Sequence, residues 1–189
     1  PTATGTRTPT PVTTPTPHGP PAVQVEIQAP AGLKALLERF LDLVRLGRLV
    51  ARDDVDDSEW SRLIDATPAQ VRSLLQTEGY FSPVIQMERL PATAAGQPDR
   101  VRVLVEPGQR VRVGRVSIEA EGELERGAVN GDAHAVATLE QIRKAWSLPT
   151  GREFRNADWG DAKDAVLARL RAAGYATAGL EGAMRLLSK

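Results

Sequence analysis

The sequence predicts an α+β protein of two tandem units, each running β-α-α-β-β, behind an extended leader. Three observations carry this reading. Valines alternate with polar residues just ahead of a helical stripe, two helices end on the same Gly-Tyr pair, and those two ends lie 95 residues apart.

The leader comes first. Residues 1–21 repeat Pro and Thr (Pro9-Thr10-Pro11, Pro15-Thr16-Pro17) with Arg7 as the one formal charge. Such a stretch has almost no apolar surface to offset the entropy of ordering, and its prolines favour polyproline II. It reads as a disordered or extended tether outside the fold.

Val23, Val25 and Ile27 then alternate with polar residues, the period of a half-buried strand, which Pro30 ends. Leu33, Leu36, Leu37, Phe40, Leu41 and Val44 form one apolar helical face, predicting a single helix from Ala31 to Leu46 with Gly47 as its C-terminal cap. A polar loop is expected over Arg48–Asp57, and a short helix over Ser58–Asp65 carrying Trp60, Leu63 and Ile64. Thr67-Pro68-Ala69-Gln70 reads as the capped start of a separate helix, because Thr67 can accept from a free N–H and Pro68 suits the first turn. Val71, Leu74 and Leu75 are its buried face and Gly79 its stop. A strand over Tyr80–Leu90, a polar hairpin loop over Pro91–Asp99 and a strand with Val101, Val103 and Val105 complete the first unit, residues 22–108.

The second unit, residues 109–189, is expected to open on a strand with Val111 and Val113, re-aimed at Gly114 by a bulge so that Val116 and Ile118 follow. A Gly- and Glu-rich loop is expected from Glu119 to about His134, then a short helix with Leu139, Ile142, Arg143 and Trp146. Asn156 is expected to cap a longer helix with Trp159, Ala162, Val166, Leu167 and Leu170. Gly174 ends it, and Tyr175 begins another extended segment. Val71, Leu75, Gly79 and Tyr80 therefore repeat as Val166, Leu170, Gly174 and Tyr175. Both stops need a residue tolerant of positive φ, and the tyrosine ring can cover the helix end.

Composition narrows the function. Lys plus Arg equals Asp plus Glu at 24 each, so no electrostatic grip on polyphosphate is built in, and a nucleic-acid partner is disfavoured. Cysteine is absent, which removes disulfides, thiolate zinc sites and thiol nucleophiles together. No apolar run reaches the roughly 20 residues of a membrane-spanning helix. The chain opens at Pro1 without a charged or apolar leader, so it is expected to be a processed or excised fragment. His18 and His134 lack partners at metal-ligand spacing, and no phosphate loop, nucleophile elbow or zinc-helix motif occurs. The acidic run Asp53–Asp57 lacks the glycine and terminal glutamate of a calcium loop and reads as solvated. No residue is assigned to catalysis, to a cofactor or to a metal.

Leu74-Leu75-Gln76-Thr77-Glu78-Gly79-Tyr80-Phe81-Ser82-Pro83 and Val103-Leu104-Val105-Glu106-Pro107-Gly108, followed by Val111-Arg112-Val113-Gly114, carry a family likeness. So do Trp146-Ser147-Leu148-Pro149, Gly151, Phe154 and Ala173-Gly174-Tyr175-Ala176. In order and spacing, over about residues 22–180, the chain resembles the POTRA (polypeptide-transport-associated) domains of bacterial outer-membrane assembly factors. The likeness is to the TamA-like outer-membrane component of the translocation and assembly module. The resemblance implies, for each unit, a three-stranded mixed sheet covered on one face by two helices. It implies a periplasmic location ahead of a membrane β-barrel. Its implied partners are unfolded outer-membrane or autotransporter polypeptides and a periplasmic or inner-membrane subunit, met by strand addition at a sheet edge. It carries no catalytic residues. Two departures stand out: the Pro/Thr leader, and a tail Glu181–Leu187 unlike the family's closing strand, so the second unit is expected to lack its last strand.

The strand from Phe81 to Leu90 is the expected open edge, with Phe81, Val84, Ile85 and Met87 as protein-binding residues. Arg110, Arg112 and Arg115 form a basic cluster that either discourages edge pairing or meets an acidic partner, and Arg112 joins the candidate site. The reading is a non-enzymatic periplasmic scaffold for outer-membrane protein assembly or autotransporter secretion. Its alternatives are the POTRA region of a two-partner secretion transporter or of the main barrel-assembly factor, and a small periplasmic hydrolase using Asp or Glu with Tyr.

Overall fold

The protein is described here by a computed structural model covering residues 23–49, 57–94 and 97–180. The leader, the tail from 181 and the acidic run up to Asp56 lie outside the described residues. The fold is α+β, and the described residues hold six helices and one three-stranded mixed sheet.

Strand β1 (Val23–Gln28) pairs parallel with β3 (Asp99–Glu106), which pairs antiparallel with β2 (Val84–Leu90), giving the order β1-β3-β2. The parallel pair needs a crossover, and helices α1 (Ala31–Phe40), α2 (Asp42–Leu49) and α3 (Asp57–Thr77) provide it. Val101, Val103 and Val105 of the central strand are almost wholly buried, as are Leu37, Leu41, Val71 and Leu75 above them. Each buried aliphatic side chain contributes about 1.5–3 kcal/mol of transfer free energy, so this interface holds the first half together. The other sheet face is polar. There Arg102 donates to Glu26 at 3.3 Å and to Glu88 at 2.9 Å, linking all three strands through directly opposed residues.

Two helical expectations are corrected here. The helix expected over Ala31–Leu46 is broken at Leu41, which has extended backbone angles. In one continuous helix Leu41 and Leu43 would point about 200° apart, yet both are fully buried, and the break reorients the second segment so that both fit. Phe40, expected on the buried stripe, is 45% exposed. Gln70 from α3 holds the break, accepting from the Asp42 N–H at 3.2 Å and donating to Asp42 Oδ2 at 2.9 Å. Gly47 lies inside α2 rather than capping a helix; a Cβ there would stand 2.9 Å from the Val23 carbonyl oxygen.

The two helices expected on either side of Thr67 are one, with Pro68 in its interior. Trp60, Ile64, Thr67, Val71 and Leu75 make one buried stripe at helical spacing. Thr67 is no cap: its hydroxyl donates to the Leu63 carbonyl at 2.7 Å, which lets a polar residue sit at 1% exposure. That polar residue hides the stripe's continuity from a hydropathy reading.

The second half differs more. Beyond Glu106 the described residues contain no strand, only an isolated bridge between Arg112 and Glu153. The sheet expected of a second unit is therefore absent from them. Val111 and Val113 bond instead to Gly79, Arg152, Phe154 and Gly151, the segments beside them in space, while Val116 and Ile118 have no ladder partner among the described residues. Helix α4 (Glu123–Val129) forms where a loop was expected, with Glu123 and Glu125 at its N-terminus favouring the helix dipole and Leu124 buried. Helix α5 (Ala133–Ala145) is longer than expected and includes His134; Asp132 caps it, accepting from the Ala135 N–H at 2.9 Å. Helix α6 (Asn156–Ala172) follows, with Asn156 as its first residue rather than its cap.

The repeat at the helix ends holds in atomic detail. Gly79 and Gly174 both have positive φ, +87° and +96°. The Tyr80 and Tyr175 N–H groups each donate back to the matching leucine, Leu75 or Leu170, at 3.0 Å.

Candidate functional site

Strand β2 lies at a margin of the sheet, and among the described residues no strand pairs with its outer side. The expected strand over Tyr80–Leu90 is shorter than read, because its first four residues serve other contacts. Val84 opens β2 and is 52% exposed, one of few large apolar side chains so open. Ile85 and Met87 point inward and pack on the first core. The margin thus offers backbone groups and Val84, with Gln86 and Glu88 exposed beside it.

Phe81 and Arg112 are placed elsewhere. Phe81 packs against Phe154 with ring centroids 6.1 Å apart, in a cluster with Leu148, Ala162, Trp146 and Trp159. Arg112 donates to the Gly151 carbonyl at 2.9 Å and to Glu153 at 3.4 Å. Arg110 is more deeply committed, with its guanidinium 4.9 Å from the Tyr80 ring centre and 2.9 Å from Glu153, and Glu78 within 3.7 Å. Burial works against its charge, but the Glu153 hydrogen bond and the nearby Tyr80, Glu153 and Glu78 outweigh it and raise its pKa. Arg155 reaches Glu78 at 3.2 Å from the far side. Two of the three clustered arginines are thus engaged by the chain's own acids, joining the first half to the approach to α6. Sequence reading missed Glu78, Glu153 and Arg155, since nothing in their spacing brings them together.

Gly79 explains why the junction is tight. A Cβ at that position would fall on the Phe154 carbonyl oxygen, so the two segments meet only because the residue is glycine.

Two hollows accompany these features. One, of about 390 Å³, lies beside Trp60, Arg89 and Arg100, and the buried Trp60 indole N–H has no acceptor among the described residues. The other, of about 640 Å³, opens in the second half between residues 118–121 and 174–180, floored by Leu124, Ile142, Val166 and Leu170. Sequence reading missed this groove, because Leu124 is hidden among Gly and Glu. His134 stacks on Tyr175 and its Nε2 lies 3.0 Å from the Ala173 carbonyl, so its ring is spent on the end of α6. Among the described residues no group of three or more His, Cys, Asp or Glu is disposed to hold a metal, and no helix is long and apolar enough to cross a membrane.

No protein-family model matches the chain, and a search of the curated proteins finds no match either.

Proposed function

We propose that the chain is a non-enzymatic polypeptide-binding scaffold of POTRA type, with two tandem units. It acts on the periplasmic side of the bacterial outer membrane in outer-membrane protein assembly or autotransporter secretion. The observation that supports this best is the first half: a β-α-α-α-β-β order with a mixed β1-β3-β2 sheet, helices on one face, and no strand among the described residues on the outer side of β2. An unpaired strand offers N–H and C=O groups that accept any extended chain, with little demand on sequence. That suits clients of many sequences, unfolded outer-membrane or autotransporter polypeptides. A periplasmic or inner-membrane subunit and a membrane β-barrel following in the same protein complete the assembly.

The test places a photo-crosslinker at Val84 and presents an unfolded outer-membrane β-barrel polypeptide diluted from urea. Crosslinks should form at position 84. In a strand the N–H groups of neighbouring residues face opposite sides, so of Ile85→Pro and Gln86→Pro one removes an outward donor and the other a donor to β3. The outward variant should lose capture while keeping its unfolding midpoint. Capture that survives both substitutions in folded protein refutes binding at this edge.

A further inference from the structure

Strand β2 is chemically close to a palindrome. Val84 and Leu90 at its ends are both aliphatic, Gln86 is matched by Glu88, Ile85 by the long stem of Arg89, and Met87 is the centre. Ile85 and Met87 pack on the first core, so alternation puts Val84, Gln86, Glu88 and Leu90 together on the polar sheet face. Val84 is more than half exposed there.

A two-fold axis through Met87, normal to the sheet, lays β2 of a second copy antiparallel beside the first. Position 84 then opposes 90, 85 opposes 89 and 86 opposes 88, so all seven residues of the strand are matched. Every position meets one of its own parity, which brings outward backbone groups to outward backbone groups and polar-face side chains to each other. On the polar face Leu90 of the second copy covers Val84, and the Gln86 amide meets a Glu88 carboxylate that Arg102 already holds at 2.9 Å on its other side. On the helical face the Arg89 stem lies over Ile85. Neighbouring registers are worse. Centring on Glu88 sets two carboxylates face to face, and centring on Gln86 sets Val84 against Glu88 and Pro83, which has no N–H, against Arg89.

We propose that a second copy of this chain pairs with the first through β2, in the register centred on Met87, and joins two three-stranded sheets into one of six strands in the order β1-β3-β2-β2-β3-β1. Both helical layers then lie on one face of the joined sheet. The contact is small for a specific interface, so the dimer belongs to high protein concentration. The pairing does not rest on the function proposed above, although it uses the same backbone edge.

Sedimentation velocity of the full chain, with no client present, should show monomer passing to dimer as concentration rises, and nothing larger, because a two-fold contact closes on itself. The chain has no cysteine, so single introduced cysteines report the register through a short bis-maleimide reagent. Val84→Cys mixed with Leu90→Cys should crosslink about fivefold more than either alone, since position 84 faces 90 and stands roughly 20 Å from its own counterpart. Gln86→Glu sets like charges opposite each other twice in the dimer and should weaken association about threefold or more. Gln86→Lys sets unlike charges opposite and should tighten it, a gain that misfolding cannot produce. A monomer at every concentration, equal crosslinking by Val84→Cys alone, or the same association in both Gln86 variants overturns the proposal. If the chain stays monomeric while an unfolded barrel polypeptide still crosslinks at position 84, the dimer fails and the proposed function stands. A dimer that captures no polypeptide at any concentration sinks the proposed function and leaves the dimer.

Discussion

The Arg110 guanidinium donates to Glu153 across 2.9 Å, and through that bond the segment leaving β3 is fixed to the segment entering α6. The arginine also lies over the Tyr80 ring, and its side chain is 19% exposed. Replacing Arg110 with Met should therefore cost about 1–2 kcal/mol, since the cation–π contact is lost and two partly shielded carboxylates lose their partner. Arg110→Lys should recover less than half of this, because a single ammonium cannot serve Tyr80, Glu78 and Glu153 together. Urea unfolding midpoints would measure both; a neutral Arg110→Met would show the junction to be held by the aromatic cluster alone.

Gly79 and Gly174 allow a paired experiment. Both stop a helix at positive φ, but a Cβ meets the Phe154 carbonyl at Gly79 and open space at Gly174. Gly174→Ala should cost only the left-handed backbone penalty, about 1–2 kcal/mol. Gly79→Ala adds a collision with backbone and should cost about 3 kcal/mol or more. Equal losses in thermal or chemical unfolding would mean that the close approach at Phe154 contributes nothing.

Pro68 lies inside α3 and cannot donate to the Ile64 carbonyl. Pro68→Ala restores a donor in mid-helix and should stabilise the protein by about 1 kcal/mol or more. A destabilised variant would show that the first core requires the bend that proline imposes.

The ion triad on the polar face predicts a pH dependence. Hydrogen bonds from Gln28 and then from Arg102 lower the Glu26 pKa below its ordinary 4.5. A carboxylate with a lowered folded pKa adds stability above the unfolded value and loses it as pH falls through the folded one. Glu26→Gln should accordingly lie below the parent in stability at pH 7, with the gap closing from about pH 5 to pH 3. The effect will be small because Glu26 is exposed, so it should be read as a difference between two pH titrations of the unfolding midpoint. Parallel titrations would mean that the triad does not contribute.

The order of elements in the first half was legible because each lies in a local pattern: Val23, Val25 and Ile27 at period two, Val71 and Leu75 at helical spacing, Gly79 at a stop. The candidate edge was legible in part, since a strand after Gly79 was expected but its margin position follows only from β3 pairing with both neighbours. Leu41 and Thr67 misled in opposite directions. At Leu41 an unbroken stripe concealed a break, and at Thr67 a polar residue concealed a continuous helix. Leu43 and the Leu63 carbonyl decide those cases, and neither contact is visible from period alone.

Sequence alone determined what is set within one or two helical turns: alternation, stripes, the two Gly-Tyr stops and their 95-residue repeat. It did so because φ preferences and side-chain period are properties of neighbouring residues. Tertiary structure decided whether an extended segment becomes a strand, since a ladder needs a partner at the right distance. Val101–Val105 found two such partners, whereas Val116–Ala120, with the same alternation, has none among the described residues.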